Sequence, residues 1–410
     1  MTAASVYNFL AISEEQAAGK DADLAATDKS AIDVQDTIQK NEIVVKRDTR
    51  FTELDSLRGL AAATVVLHHA ADMWPTIASG HGVASVLLRL FSGGEQAVAL
   101  FFILSGFVLA LPYIRGKSQT YPIFLLRRIV RIYGPYLVAL GLAVAGSAVW
   151  HTPLTQDNWE SQTWYRPVVL QAVLNHVAFI GNYPWSEYNT AFWSLIQEMR
   201  VSIIFPLLIM IVMRWPKVAA FILIPALILL TPALAATGPI PIGLDMISSV
   251  CALFISGILL AMYAQQCIEW LESRNKFFLA VLLIFAYAIY LFGYSNFFYT
   301  SVVRAAHIMI TGLGAALVLL LALSFSSFRT FLRGKIAHFL GKISYSLYLV
   351  HGTVLWAIAR SMGKSAPIPA QLCLYLVLSL FLAWIFYLAV EAPFTNLSRK
   401  LGSRKIAAVG

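Results

Sequence analysis

Long apolar segments dominate this chain and restrict it to folds that cross a membrane. Of its 410 residues, 59% are hydrophobic and only 12% are charged, whereas soluble domains carry about 25% charged residues. About ten segments reach the roughly 17 to 24 residues that a helix needs to span a bilayer. They lie near residues 57–75, 95–114, 132–150, 192–213, 217–235, 244–264, 277–293, 304–325, 342–360 and 370–391. The sequence therefore predicts an all-α, polytopic membrane helical bundle with about ten transmembrane helices.

The loops between these segments carry very unequal charge. Seventeen Lys and Arg residues fall in one set of alternate loops together with the C-terminal segment, and five fall in the opposite set. Positive charge concentrates on the cytoplasmic side of membrane proteins, so both termini are predicted to be cytoplasmic. The net charge of +9 is thus an orientation signal, and no nucleic-acid partner is expected. We expect a multi-pass protein of the cell membrane, plasma or inner, in contact with membrane lipids; its oligomeric state stays open.

Polar regions flank the predicted bundle and interrupt it once. Residues 1–50 have the composition of a flexible or partly helical cytosolic tail, with a partner-binding or regulatory segment as the alternative. Residues 51–398 form the predicted transmembrane domain, and residues 399–410 are a short basic cytosolic end. The longest loop, 151–191, is predicted to be extracytoplasmic, and its aromatic residues fit either an interfacial belt or a platform for sugar rings. Within it, residues 166–181 are too short to span and are expected to form a re-entrant or surface helix. The three cysteines lack metal or disulfide spacing, so no metal site is predicted.

The first apolar segment holds ionisable residues where a membrane helix ordinarily has none. Arg58 lies at its start, and His68 and His69 lie deep inside it. Eleven residues separate Arg58 from His69, so the two share a helix face about 16 Å apart, while His68 points about 80° away. Buried neutral histidines bonded to neighbouring helices are one interpretation. The other is a functional site, because intramembrane charge is costly, with His69 as a general base.

Two acids and a serine lie near these residues. Asp55 precedes Arg58 by three residues and is expected to cap the helix or to pair with Arg58. Asp72 follows both histidines by one turn and either fixes a histidine tautomer or marks the helix end at the interface. In the second segment Ser105 either allows close helix packing or takes part in the site directly.

Charged residues also mark the third and fourth segments. Arg127, Arg128 and Arg131 enter the third segment from the cytoplasm, either as topology anchors that contact lipid headgroups or as a clamp for the phosphates of a cytosolic donor. The fourth segment opens with Trp193 and contains Glu198 about a turn and a half inside. Glu198 is expected to bind the acceptor or to orient a histidine.

The last two segments contribute a third histidine and a terminal acid. His351 lies in the middle of the ninth segment, which is the placement that His69 has in the first. The tenth segment closes with Glu391 and Pro393, where the proline is expected to stop the helix and the acid to lie at the membrane interface.

These blocks, in this order, resemble the membrane-bound acyltransferase-3 family from about residue 52 to 398. The resemblance rests on Leu-Asp-Ser-Leu-Arg-Gly-Leu-Ala-Ala followed by His69, which is an Arg-x10-His pattern, and on Phe-Phe-Ile-Leu-Ser-Gly-Phe, Arg-Arg-Ile-Val-Arg-Ile-Tyr, Phe-Trp-Ser-Leu-Ile-Gln-Glu, Ile-Ser-Tyr-Ser-Leu-Tyr-Leu-Val-His and Glu-Ala-Pro-Phe. His69 and Arg58 match the family's essential pair, and Glu198 and His351 match positions that are frequently important.

The resemblance implies an O-acyltransferase that moves an acyl group, usually acetyl, from cytosolic acyl-CoA to a hydroxyl of a carbohydrate or another acceptor, as in O-acetylation of polysaccharides. Acyl-CoA would be the co-substrate, with no cofactor bound permanently. His69 would deprotonate the acceptor or be acylated itself, and Arg58 would hold the donor or stabilise charge at the reacting centre. The rival hypothesis is a proton-coupled transporter or carrier that uses the same intramembrane residues.

Overall fold

The computed structural model describes residues 51–117, 119–151, 163–179, 186–235, 244–292 and 301–403. Over these residues the chain is all-helical, without a strand. The tail predicted at 1–50 and the last seven residues lie outside the described part. Phe51–Leu111 and the described residues from 119 onward belong to one compact unit, to which the packing below refers, and Pro112–Lys117 belong to a second unit.

Each of the ten predicted membrane segments coincides with a helix. The helices are α1 Thr52–Met73, α2 Val83–Leu90, α3 Gly94–Ile114, α4 Tyr121–Arg128, α5 Gly134–Trp150, α6 Leu170–Ala178, α7 Phe192–Arg214, α8 Ile224–Ala235, α9 Leu244–Glu272, α10 Lys276–Phe292, α11 Ser301–Ser324, α12 Ser326–Leu332, α13 Lys335–Met362, α14 Ile368–Phe386 and α15 Ala392–Ser403. Single turns lie at Pro75–Ala78, Pro216–Val218 and Gly363–Ser365, and π-helical turns at Ile129–Tyr133, Ala219–Leu223 and Tyr387–Glu391. The nine-residue α6 is the short helix expected in the long loop.

Seven helical stretches in the described part of the chain are long and apolar enough to cross a membrane. They are Leu88–Ile114, Tyr121–Trp150, Phe192–Arg214, Pro216–Leu234, Met246–Glu272, Ala306–Ser324 and Ile368–Leu401. The other three predicted segments are α1 and α13, which carry the histidines and further polar residues, and α10, which has 17 residues. Both the count of ten spans and the cytoplasmic placement of the termini therefore stay predictions.

Two glycines, Gly59 and Gly341, let α1 and α13 cross in close contact. A Cβ atom at Gly59 would meet the backbone of Gly341, and one at Gly341 would lie 2.6 Å from the carbonyl oxygen of Asp55. Small residues allow membrane helices to approach this closely. Gly59 precedes His69 by ten residues, and Gly341 precedes His351 by ten. Because the helices run in the same direction and each rises about 15 Å over ten residues, the crossing brings the two histidines to one level.

Glu53 anchors the start of α1, ahead of the predicted span. Its Oε1 accepts a hydrogen bond from Arg333 Nε at 2.8 Å and lies 3.7 Å from Arg329 Nε, so it links α1 to α12 and the turn after it. Burial by itself raises the pKa of Glu53, but hydrogen bonds from its backbone and from Arg333, together with the positive charge of Arg329, outweigh burial and lower it.

The predicted stop at Pro393 is wrong, because the tenth helix continues. The π turn Tyr387–Glu391 follows α14, and α15 then runs from Ala392 to Ser403. Pro393 lies just after the π turn, so the helix accommodates the proline's missing N–H by a local change of hydrogen-bond pattern instead of ending.

The aromatic residues of the long loop do not all face the membrane interface. Trp164 is fully buried, and its ring packs against Gly146 of α5. Its Nε1 donates to the carbonyl of Tyr188 at 3.0 Å, and Trp150, which is 37% exposed, stacks on it. Trp164 is therefore part of the loop's own core, while the aromatics at 159, 183 and 185 lie outside the described residues.

Candidate active site

A pair of histidines from α1 and α13 lies at the centre of the candidate site. His69 Nδ1 is 3.0 Å from His351 Nε2, and the rings are nearly parallel with centroids 5.2 Å apart. His69 is 9% exposed and His351 is 0% exposed. The two residues are 282 positions apart in the sequence, so only the packing of α1 on α13 unites them.

The backbone of α13 determines the protonation pattern of this pair. His351 Nδ1 lies 3.0 Å from the carbonyl oxygen of Leu347, four residues earlier. A carbonyl only accepts, so Nδ1 of His351 carries the hydrogen, and in the neutral ring Nε2 is the acceptor. His69 Nδ1 must then donate to His351. It follows that Nε2 of His69 carries the lone pair, which is the form of imidazole that can take a proton from a hydroxyl.

Side chains from α3, α7, α13 and the residue Thr190 surround the two histidines. The hydroxyls of Ser194 and Tyr348 are 2.6 Å apart, and the ring of Tyr348 lies 5.8 Å from the ring of His351. Phe101 of α3 packs edge-on against Tyr348. Thr190, just before α7, places its Oγ1 3.5 Å from His69 Nδ1. The histidines are therefore buried among hydroxyl groups and aromatic rings, where hydrogen bonds are stronger than in water.

Asp72, which was expected near both adjacent histidines, contacts His68 and not His69. Asp72 Oδ2 is 3.3 Å from Nε2 of His68, whose ring packs on Gly94 of α3. The one-turn spacing to both histidines left this choice open, and helix rotation decides it. Asp72 therefore lies beside His68, whereas His351 and Thr190 contact His69, and its role in fixing a tautomer stays a prediction.

A second polar group surrounds Glu198 of α7. Its Oε1 accepts hydrogen bonds from Arg128 at 2.8 Å and from Ser105 at 3.0 Å. Arg128 also donates to Ser202 at 3.1 Å. Glu198 therefore contacts an arginine and a serine rather than a histidine. Ser105 bonds Glu198, and the neighbouring Gly106 packs against the backbone of α9, so a direct part of Ser105 in the reaction stays a prediction.

The third arginine lies on a π turn that α13 supports. Arg131 is exposed and lies in the π turn Ile129–Tyr133, within electrostatic range of Arg58, Glu198 and Glu391. Tyr345 of α13 donates to the carbonyl of Ile132 in that turn at 2.7 Å. Such turns recur at functional sites because they widen the helix and redirect its groups.

Glu391 occupies another π turn and is bonded to α13; its predicted place at the membrane interface stays a prediction. Its Oε2 accepts hydrogen bonds from the backbone N–H of Ser346 at 3.0 Å and from the Ser346 hydroxyl. The acid is thereby joined to α13 five residues before His351. The two π turns bring opposite charges, Arg131 and Glu391, to the same region.

Arg58 belongs to this charged region rather than to the histidine pair. Its guanidinium lies 3.8 Å from Asp55 Oδ1, with 21% of its side chain exposed, which is the predicted Asp55–Arg58 pair. Because α1 is continuous from Thr52 to Met73, Arg58 and His69 are separated by about 16 Å along the helix.

The remaining two predicted residues lie at the edges. Arg127 donates to Gln119 at 2.8 Å and its carbonyl accepts from Ser398 of α15. Trp193 is partly buried in the first turn of α7, next to the buried Ser194.

Comparison with known proteins identifies the family to which the chain belongs. The family model described as an acyltransferase domain matches residues 51–388. The chain belongs to this acyltransferase family. It is 29% identical over 348 residues to Acyltransferase MdmB from Streptomyces mycarofaciens, covering 77% of this chain and 82% of that protein. A shorter match, 41% identical over 101 residues, covers 23% of this chain and 45% of Protein 2 in picA locus from Rhizobium radiobacter. No solved structure matches the chain.

Family membership establishes acyl transfer as the reaction class of this multi-pass membrane enzyme. Several residues that complete its polar groups were not singled out from the sequence: Thr190, Ser194, Ser202, Tyr348 and Asn189. Two signals were present, since Ser194 and Tyr348 lie inside the motifs that carry the resemblance, and Ser202 follows Glu198 by one turn. Thr190 and Asn189 lie in a loop and gave no periodic signal.

Proposed function

We propose that the protein transfers an acyl group, acetyl in the simplest case, from cytosolic acyl-CoA to a hydroxyl of a carbohydrate or another acceptor. The observation that carries the proposal is the buried His69–His351 pair, 3.0 Å apart, in a chain of an acyltransferase family. Transfer to a hydroxyl requires a base, and the tautomer derived above gives His69 a lone pair on Nε2 for that task.

In the proposed reaction, His69 Nε2 takes the proton of the acceptor hydroxyl as its oxygen attacks the thioester carbonyl. The carbon–sulfur bond then breaks, and the proton moves from His69 to the departing CoA thiolate. His351 is a positioning residue in this scheme: its Nε2 accepts from His69 Nδ1 and stabilises the positive ring that forms. General base catalysis of this kind contributes about 10²- to 10⁴-fold to a rate.

The donor would bind with its charged end in the arginine region. Arg58 and the exposed Arg131 are the proposed phosphate ligands, with Arg127 at the edge, because guanidinium groups bind phosphate in a bidentate way. Arg128 is already bonded to Glu198, so we assign it to holding that region together. The separation of about 16 Å between Arg58 and His69 favours donor binding over charge stabilisation at the thioester as the role of Arg58.

Release of free CoA from acetyl-CoA tests the proposal. Purified protein in detergent is supplied with acetyl-CoA and with glycans extracted from cells that express it, and the CoA thiol is measured over time. His69→Ala is expected to lose at least about a hundredfold in rate. His68→Ala is the matched control, since it removes the adjacent histidine, which contacts Asp72 instead, and is expected to stay within about threefold of the wild type. Full activity of His69→Ala, or no CoA release by the wild type, would contradict the proposal, the second outcome being that of a carrier.

A further inference from the structure

The loop that ends at α7 is fixed to a second loop segment by a series of hydrogen bonds. Thr163 Oγ1 donates to the carbonyl of Ser186 at 2.7 Å, the backbone N–H of Trp164 donates to Glu187 at 3.0 Å, and its indole donates to Tyr188. Trp164 is fully buried. Residues 186–190 are therefore a well-supported backbone segment.

An ion pair strengthens the same attachment. Arg166 donates from Nε and from its terminal nitrogen to the two carboxylate oxygens of Glu187, at 2.7 and 2.9 Å. Glu187 is 2% exposed, and these hydrogen bonds raise the pKa of Arg166. Bidentate geometry fixes the orientation of both partners, so it holds the backbone in place just before Asn189 and Thr190.

Asn189 connects this segment to α13 next to His351. Asn189 is 0% exposed, its Nδ2 donates to the carbonyl of Leu349 at 3.0 Å, and its Oδ1 accepts from the backbone N–H of Ala191 at 2.9 Å. A Cβ atom at Gly352 would lie 2.8 Å from its Cγ. The amide thus closes a turn just before α7 and fills the space that a glycine leaves on α13, beside the turn that carries the histidine.

The next residue reaches the other histidine. Thr190 is buried, and its Oγ1 lies 3.5 Å from Nδ1 of His69, the nitrogen that donates to His351. We propose that Asn189 and Thr190 are positioning residues for the histidine pair: Asn189 fixes α13 beside His351, and the Thr190 hydroxyl is a second acceptor for the His69 Nδ1–H. This inference rests on the proposed role of His69.

The effect of Thr190 is expected to be larger in the transition state than in the substrate complex. When Nε2 of His69 has taken the acceptor's proton, the ring is positive and its Nδ1–H is a stronger donor. An acceptor that matters mainly in that state changes kcat and leaves KM nearly unchanged. A residue that only stabilised the fold would give a different pattern, because it would change the amount of active protein rather than its kcat.

Substitutions of Thr190 that separate shape from hydrogen bonding test the inference. Thr190→Val keeps the shape and removes the hydroxyl, and is expected to lower kcat about tenfold with KM for acetyl-CoA within about twofold. Thr190→Ser keeps the hydroxyl and is expected to stay within about threefold of the wild type. Rates are referred to the monodisperse protein recovered by gel filtration. Thr190→Ala, which removes the hydroxyl together with the methyl group, is the second hydroxyl-free variant.

Thr231 of α8, which faces α9, provides the matched control. Thr231 is buried and bonds Ser248 at 2.7 Å, so Thr231→Val removes one buried hydroxyl by the same chemical change and is expected to leave kcat unchanged. Wild-type kcat in Thr190→Val or Thr190→Ala, or a Thr190→Ser variant as slow as Thr190→Val, would overturn the role of Thr190.

Asn189→Asp tests whether the hydrogen bond from Asn189 to α13 matters for the rate. It keeps the acceptor for Ala191 and removes the donor to Leu349, and is expected to lower kcat at least about tenfold. Wild-type kcat in Asn189→Asp would overturn its part. His69→Ala, measured in parallel, separates the two levels: an active His69→Ala contradicts the proposed function, whereas an inactive His69→Ala with fully active Thr190 and Asn189 variants contradicts only this inference.

Discussion

Replacing Gly341 with alanine should separate the two histidines although neither is touched. The added Cβ would lie 2.7 Å from the carbonyl carbon of Asp55, whereas carbon atoms in contact sit about 3.5 Å apart. The obstructing atoms belong to the backbone of α1, so α1 and α13 must move apart by about 0.8 Å. Carried along the ten residues to His69 and His351, the same shift lengthens their 3.0 Å contact to about 3.8 Å, beyond hydrogen-bond range.

Misplacement of this size lowers the rate of a positioned reaction by up to about a hundredfold, so Gly341→Ala is expected to lose between about tenfold and a hundredfold in kcat. Gly141→Ala is the matched control: nothing lies within 4 Å of a Cβ there, and alanine favours a helix over glycine by about 1 kcal/mol. CoA release and the thermal unfolding midpoint in detergent are measured for both. A folded Gly341→Ala variant with wild-type kcat would refute the argument that the glycine crossing sets the histidine contact.

Two further predictions concern charges that hold helices together. Glu53→Gln is expected to lower the unfolding midpoint at neutral pH by weakening the bond to Arg333. Because folding lowers the pKa of Glu53, its contribution is full above the unfolded value of about 4.3 and is lost as the pH falls through the folded value. The difference between wild type and Glu53→Gln should therefore shrink below that pH in thermal scans, and a constant difference would contradict this account. Glu198→Leu leaves the charge of Arg128 without its partner and is expected to cost about 3 kcal/mol. The double variant Arg128→Met with Glu198→Leu should recover part of that loss, and unfolding midpoints that simply add would show that the two side chains do not interact.

Much of the candidate site follows from local helix geometry. The phase of Arg58 and His69 on one helix depends only on 100° per residue, and α1 is continuous over both residues, so their shared face and separation were predictable. The pairing of Asp55 with Arg58 was predictable for the same reason, since both lie within one turn. Helix positions were predictable because apolar length is a property of the local sequence.

The predictions for Pro393 and Trp164 failed because each relied on the residue type alone, while contacts with other parts of the chain decide the role. Pro393 was expected to end the tenth helix, but the chain stays helical through the π turn before it and on to Ser403. Trp164 was expected at a membrane interface or a sugar platform, but the loop folds over it and its indole bonds Tyr188. In both cases the residue type was interpreted without the neighbours that decide its role.

The sequence by itself determined the ten helical segments, the shared face of Arg58 and His69, and the family motifs. Only the tertiary structure decided which charged and polar groups meet: Asp72 with His68, Glu198 with Arg128, and His69 with His351. The physical reason is that a helix determines the direction of its own side chains, whereas partners on other helices depend on how the helices cross and rotate. For the histidines that crossing is set by two glycines, Gly59 and Gly341, whose missing side chains let α1 and α13 touch.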